Sequence, residues 1–422
     1  MSGAWPVPPR ADDVIAVETP GGALSYRELL RKSRAGAREL AVDRGVRVAI
    51  ALPAGIDFAV ALHSCFVAGA VAVPVDLREP RERWPTADAL IERPLDCSGP
   101  GREPAKLGLQ DIAAIIRTSG TSGAPKEVPL SFGNFVWSAL GSAVALGLDP
   151  GERWLCTLPL AHVGGLSILV RSWIYGTTAV IHERFETGAV VEALMQREIT
   201  LVSVVATTLT RLLDGGLERP PRLRCALLGG GPIPPALVER ARAAGVPVSR
   251  TYGLTEACSQ VASQAPGLDS EGAPPLFCTR VAIAADGEIV VSGPTVSPAI
   301  GQPLATGDLG ALDESGALRV IGRKADTIIS GGENVAPSQV EAVLEEHPAV
   351  AEAGVFGAVD AEWGEAVHAA VVLREAIGVE ELRTHCAARL AGFAVPKRIV
   401  VVEALPRTAA GKLRRDALSA AL

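Results

Sequence analysis

Residues 118–126 read Thr-Ser-Gly-Thr-Ser-Gly-Ala-Pro-Lys. The hydroxyls of Thr118, Ser119, Thr121 and Ser122 can donate hydrogen bonds. Gly120 and Gly123 let backbone N–H groups approach an oxyanion, and Lys126 brings a mobile positive charge. Such a set suits a phosphate, although the same composition also suits a flexible linker. The flanking residues separate the two readings. Asp111–Ile116 is a short apolar run rich in β-branched residues, which predicts a buried strand. Leu130–Leu146 mixes apolar and small residues in a pattern that predicts a helix. A Gly-rich turn between a strand and a helix is where α/β proteins hold phosphates. The Walker pattern is not met, because Glu127 rather than Ser or Thr follows Lys126, and Gly411-Lys412-Leu413 fails the same test. The loop therefore predicts nucleotide binding of another class.

Those residues need elements to hold them. A chain of 422 residues implies two or more domains. Its 48% hydrophobic and 21% charged content is that of a globular protein. A net charge of −7 and the lack of a long basic run argue against a nucleic-acid partner. Phe58–Val75 is nearly all apolar, but it contains His63, Ser64, Gly69 and Pro74 and is mostly alanine and valine. It predicts a buried helix running into a buried strand rather than membrane insertion. The first ten residues lack the apolar stretch of a signal peptide. Seven scattered cysteines without a CxxC suit a reducing cytoplasm.

Ser25 and Glu28 spell a capping box for a helix reaching about Leu40, and Val46–Leu52 predicts a strand. Residues 77–110 are rich in Pro, Arg and Glu and predict irregular surface. Apolar strands at 153–158, 178–182, 201–205 and 224–228 alternate with helical patterns, which predicts doubly wound, mostly parallel sheets. From about 280 short strands follow one another, as in a β-barrel-like subdomain or a meander. The last 97 residues alternate helix and strand again, as in a small α+β domain joined near Arg323–Asp326.

Further motifs follow the loop in order: Thr251-Tyr-Gly-Leu-Thr-Glu256, Thr306-Gly-Asp308, Gly322-Arg323, Ser330-Gly-Gly-Glu-Asn334 and Leu405-Pro-Arg-Thr-Ala-Ala-Gly-Lys412. Together they resemble the adenylate-forming superfamily of acyl- and aryl-CoA synthetases, peptide-synthetase adenylation domains and luciferases. The resemblance covers the chain beyond about residue 20. It implies an N-terminal adenylation domain over 1–322, a hinge at 323–326 and a mobile C-terminal domain over 327–422. It also implies ATP, Mg²⁺ and coenzyme A. Lys126 and residues 118–123 would hold the β- and γ-phosphates. Glu256 would bind Mg²⁺, Thr255 the α-phosphate, Tyr252 with Gly253 the adenine, and Asp308 with Arg323 the ribose. Lys412 would reach the α-phosphate and the substrate carboxylate. Gly331, Gly332 and Trp363 would line a pantetheine tunnel. A core tyrosine, a turn aspartate, a core tryptophan and a surface lysine are the plainer readings of Tyr252, Asp308, Trp363 and Lys412. The chain departs from the superfamily at Glu127, at Phe132 and at Ala325, where the hinge usually carries Asp or Lys.

Arg171 interrupts the apolar run Leu158–Gly176, and a buried guanidinium is costly unless an anion compensates it. It pairs with a structural carboxylate, snorkels to the surface, or meets a second carboxylate on the substrate. The wording of this run, of Val204–Leu213 and of Ile328–Val335 resembles the o-succinylbenzoate–CoA ligases of menaquinone biosynthesis. That likeness implies a dicarboxylic aryl acid facing Arg171, with His162 gating the pocket and Gly229, Gly230 and Gly231 forming a wall. A core histidine and a tight strand-to-helix turn are the plainer readings of His162 and the glycines. Another aryl- or acyl-CoA ligase, and an enzyme loading an acyl carrier protein, stay open, and a homodimer is compatible with all three.

Overall fold

In the computed structural model, which describes residues 13–118, 126–268, 270–407 and 413–418, Ser25 caps the helix Tyr26–Leu40. The Glu28 N–H donates to the Ser25 hydroxyl at 3.2 Å, and the Ser25 N–H donates to the Glu28 carboxylate at 2.9 Å. The apolar run behind it becomes the helix Ile56–Ala68 and the strand Val71–Pro74, buried from Phe58 onward. Among the described residues no helix is long and apolar enough to cross a membrane.

By their contacts the residues form two compact units. One comprises Met1–Gly230, Ala241–Val281 and Val291–Leu304, the other Gly231–Arg240, Ala282–Val290 and Ala305–Leu422. The first unit holds two sheets. One orders its strands Ala89–Ile91, Arg47–Ile50, Val71–Pro74, Ile112–Thr118 and Lys126–Ser131. The other orders Ser259–Ser263, Val248–Leu254, Cys225–Leu228, Leu201–Val204, Arg153–Cys156, Thr178–Ile181, Ile15–Thr19 and Gly22–Ser25. Pairing is parallel through the middle of each sheet; it is antiparallel at both margins of the eight-stranded sheet and at the Lys126–Ser131 margin of the five-stranded one. Intervening helices supply the crossovers that parallel neighbours need. Phe58, Phe66, Phe132, Phe135, Trp154 and Trp173 share one core, with Phe66 and Phe132 edge to face at 5.2 Å.

Two expectations are corrected here. The 118–126 loop does not lead from a strand into a helix. Lys126–Ser131 is itself a strand, antiparallel to Ile112–Thr118 with Thr118 opposite Lys126, and the helix starts at Phe132. Val128 and Leu130 are buried while Glu127 is exposed and Pro129 half-buried, the period of a half-buried strand. Ser131 and Asn134 then cap the helix reciprocally. Pro129 is tolerated because the strand lies at the sheet edge. Residues 77–110 are likewise not all irregular, since Ala89–Ile91 pairs with Arg47–Ile50.

A four-stranded sheet in chain order, Arg280–Ile283, Glu288–Ser292, Leu304–Leu312 and Leu318–Arg323, falls mainly in the second unit as a meander. That unit continues into a sheet of Glu333–Val335, Ile328–Ser330, Gly364–Leu373 and Val350–Asp360, with Arg398–Val401 pairing Gly364–Leu373. The helices Pro337–Glu345 and Val379–Ala387 cover it over Val340, Leu344, Val355, Val367 and Leu382.

Tyr26 braces the first unit from within. Its buried hydroxyl lies 2.7 Å from the carbonyl oxygens of both Ser172 and Thr177. We expect Tyr26→Phe to destabilise the fold by about 1–3 kcal/mol in urea unfolding, because those oxygens lose a donor where water is scarce. A change below about 0.5 kcal/mol would mean the hydroxyl is no brace.

Candidate functional site

In the first unit the Tyr252-Gly-Leu-Thr-Glu motif runs off the strand Val248–Leu254 into one helical turn, Thr255–Ala257. The chain then reverses. Cys258 and Ser259 both take left-handed backbone, at φ 52° and 86°, and Ser259–Ser263 returns antiparallel with Gly253 opposite Gln260. A Cβ on Gly253 would stand 1.7 Å from the Ser259 carbonyl oxygen, so only glycine fits. The reversal brings Tyr252, Thr255 and Glu256 to one end of the sheet.

Two buried serines hold that turn. Ser297 donates its N–H to the Glu256 carbonyl at 2.8 Å and its hydroxyl to the Pro129 carbonyl at 2.6 Å. Pro129 belongs to the strand that begins with Lys126, so one residue, through its N–H and its hydroxyl, ties the lysine's strand to the glutamate's turn. Ser138 donates its hydroxyl to the Cys258 carbonyl at 2.7 Å and accepts from Arg171 Nη2 at 2.9 Å. Sequence reading missed both, because an isolated serine inside an apolar stretch carries no signal of its partner.

Arg171 lies on the helix Val163–Tyr175 and is 2% exposed, so it does not snorkel. Among the described residues no carboxylate pairs with it. Its guanidinium stands 5.8 Å from the Trp154 ring centroid, and its Nε has no partner. Burial pulls its pKa below the ordinary arginine value. A buried cation held by one hydroxyl and one ring is placed to receive an anion.

His162 occupies the N-cap of the same helix. Its Nε2 is 3.1 Å from Arg78 Nη2, which can only donate, a contact that a ring protonated on Nδ1 satisfies. Burial lowers the His162 pKa, opposed by the Asp76 carboxylate at 3.7 Å. Gly229 and Gly230 end the strand Cys225–Leu228. A Cβ at Gly229 would meet the Thr251 carbonyl at 2.7 Å, and Gly230 has φ +80°, so both serve the turn. A Cβ at Gly231 would meet nothing within 4 Å. Residues 119–125, with Ser119, Gly120, Thr121, Ser122 and Gly123, lie outside the described residues, as does Lys412. Their flanks are in place: Thr118 and Lys126 face each other across the hairpin.

In the second unit Asp308 and Arg323 stand opposite each other on antiparallel strands, with Nε 2.7 Å from Oδ1. Asp308 is 5% exposed, and its N–H donates to the Thr306 hydroxyl at 3.1 Å. Glu288 accepts the Gly307 N–H at 2.8 Å and Lys324 Nζ at 2.9 Å, which fixes the turn just before Asp308. Gly331 and Gly332, at φ +62° and +85°, form the two-residue turn of a hairpin. Gly331 donates its N–H to the Trp363 carbonyl at 2.8 Å, and a Cβ there would touch the indole at 3.0 Å. Lys397 Nζ covers the Trp363 ring at 3.9 Å from its centroid. The indole thus joins the glycine turn to a basic side chain.

These groups suit a nucleoside triphosphate and an acid. A hydroxyl-rich loop with Lys126 offers donors to phosphate. Glu256 offers a hard oxygen ligand that would hold Mg²⁺, whose charge neutralises phosphate oxygens. Asp308 is an acceptor pinned in orientation, and Arg171 waits on an anion.

The chain matches the family model of the AMP-binding enzyme over residues 7–87 and 81–300, and that of the AMP-binding enzyme C-terminal domain over residues 339–412. It is 37% identical to the 2-succinylbenzoate–CoA ligase of Bacillus subtilis, over 94% of this chain and 92% of that protein. It is 38% identical to that of Bacillus velezensis, over 94% and 93%. Its structure is similar to o-succinylbenzoate CoA synthetase (MenE) from Bacillus subtilis in complex with the acyl-adenylate intermediate OSB-AMP. The TM-score there is 0.89 at 36% identity, covering 96% of this chain and 95% of that one. MenE from the same organism with ATP and magnesium ion gives 0.87 at 35%, covering 96% and 97%. The chain belongs to the AMP-binding enzyme family, whose members make adenylates.

Gly253→Ala tests whether the reversal matters to that chemistry. With its Cβ against Ser259 the turn must open, and we expect acid-dependent AMP release to fall about 100-fold or more, read against far-UV circular dichroism as a check on folding. A folded variant with the wild-type rate would show that the turn tolerates opening.

Proposed function

We infer that this protein is an ATP-dependent o-succinylbenzoate–CoA ligase. A carboxylate oxygen of the acid attacks the α-phosphorus of ATP and releases pyrophosphate. The thiol of CoA then attacks the carbonyl carbon of the mixed anhydride and releases AMP. The near full-length likeness to relatives bearing that name carries the reading. Arg171 supports it: a buried cation with no carboxylate partner among the described residues suits the second carboxylate of the substrate.

In the first step two anions meet, so the protein's task is to neutralise charge where it gathers. Lys126 and the hydroxyls of 118–123 hold the β- and γ-phosphates, Thr255 bonds the α-phosphate, and Glu256 holds Mg²⁺. Tyr252 and Gly253 face the adenine, while Asp308 and Arg323 take the ribose. Lys412 stabilises charge developing between the α-phosphate and the attacking carboxylate. His162 stays neutral beside the acid, which spares the second carboxylate a competing cation. In the second step the domain over 327–422 moves about 323–326, withdraws Lys412 and brings Gly331, Gly332 and Trp363 to the pantetheine arm. The setting is the cytoplasm, where ATP and CoA are at hand.

The first test is CoA-dependent AMP release with o-succinylbenzoate, benzoate, anthranilate and a medium-chain fatty acid. Strong preference for o-succinylbenzoate is the expected outcome, and preference for a monocarboxylate would overturn the assigned acid. Arg171→Ala should raise KM for o-succinylbenzoate by roughly 100-fold or more, from loss of a desolvated charge pair worth about 3–5 kcal/mol, and change it little for benzoate. Equal effects on both acids would return Arg171 to a purely structural role. Lys412→Ala should abolish adenylate formation and spare thioester formation from supplied acyl-adenylate. Equal loss of both steps would refute separate geometries for the two half-reactions.

A further inference from the structure

Ala325 places no polar group at the hinge, yet the residues on either side of it are anchored. Lys324–Asp326 form a single helical turn. Lys324 Nζ bonds Asp286 Oδ2 at 2.6 Å and Glu288 Oε2 at 2.9 Å. Asp326 Oδ2 lies 3.2 Å from Arg415 Nε, on the last described helix of the chain. Arg415 is mostly buried and spreads its remaining donors over one site. Nη1 and Nη2 grip both oxygens of the Glu341 carboxylate, the Nη2 contact at 3.0 Å, and Nη1 also reaches the Val355 carbonyl at 3.0 Å. Glu341 in turn accepts the Val355 N–H at 2.8 Å.

Arg415 follows Lys412 by three residues, and the ends of the 408–412 segment are closed. Arg407 and Leu413 form an antiparallel bridge, and the Arg414 N–H donates to the Pro406 carbonyl at 2.9 Å. Arg407 Nη2 bonds Glu352 at 2.6 Å, and Leu413, Leu405 and Leu418 pack against Phe356. The residues flanking 408–412 are therefore held together, and the Arg415 guanidinium joins them to the residue just after Ala325.

We propose that Arg415 is a positioning residue that couples the hinge turn to the lysine segment. Rotation at Ala325 then carries the joined flanks of that segment, Arg407 and Leu413, together with Asp326. This rests on the reading of Lys412 as the adenylation lysine. A bidentate fork suits the task because it fixes direction as well as distance, which a lysine at the same position cannot do.

Arg415→Ala leaves the buried Glu341 carboxylate without its cation and can simply unfold the unit, so the decisive variant is Asp326→Ala, which removes only the hinge arm and keeps the Glu341 fork. Pyrophosphate–ATP exchange, thioester formation from supplied acyl-adenylate and the thermal midpoint are measured on the full chain, with Arg415→Lys and Lys412→Ala beside it. We expect Asp326→Ala and Arg415→Lys to lower kcat for adenylate formation about tenfold or more, with KM for ATP and acid and the rate of thioester formation within about twofold. The Asp326→Ala midpoint should stay within about 2 °C of wild type. Unchanged adenylate formation in Asp326→Ala, while Lys412→Ala abolishes it, would overturn the coupling alone. A parallel fall of both half-reactions and of the midpoint would reduce Arg415 to a staple of the fold. Full adenylate formation by Lys412→Ala would sink the reading of Lys412 and the proposal with it.

Discussion

The hydrogen bond from Arg171 to the Ser138 hydroxyl, 2.9 Å long, sits at the centre of the first unit and has unusual consequences. Taking a guanidinium out of water costs several kcal/mol, and a single hydroxyl and a ring face return only part of it. The same hydroxyl then donates to the Cys258 carbonyl, whose residue is held in left-handed backbone just past Glu256. The helix of Arg171 and the turn after Glu256 are thus joined through one side chain. Among the described residues no carboxylate compensates this interior charge, which is an observation on which the proposed dicarboxylate substrate rests.

Ser297 extends that logic to the phosphate side. It links the turn of Glu256 to the strand of Lys126, so the groups assigned to metal and phosphate are spaced by hydrogen bonds rather than by chain proximity. Because Lys126–Ser131 is a strand, the lysine is carried on a sheet edge, and the next helix starts only at Phe132.

The second unit uses paired charges differently. Asp308 with Arg323 and Glu288 with Lys324 hold the strand ends in register at the surface. In each pair a largely buried carboxylate meets a half-exposed cation. Their effect is to orient a carboxylate and a backbone turn. The alanine at 325 is then less of a departure than it first looks, since Lys324 and Asp326 carry the polar contacts one residue to either side.

Much of this was readable from residue order. The Ser25–Glu28 capping box, the parallel strands and the buried Ile56–Ala68 helix follow from local pattern, because capping and hydrophobic period act within a few residues. The ordered motifs from Thr118 to Lys412 likewise pointed to the family. Lys126–Ser131 was misread because Val128 and Leu130 are too few to reveal a period when a helix follows at once. Which groups meet was beyond the sequence: Ser138 with Arg171, Ser297 with Pro129, Arg415 with Asp326, Lys397 with Trp363. These pairs lie 33, 168, 89 and 34 positions apart. The chemical types available were set by composition and spacing, but their partners were decided by the tertiary structure, since hydrogen bonds and charge pairs depend on angstroms in space, which separation along the chain does not encode.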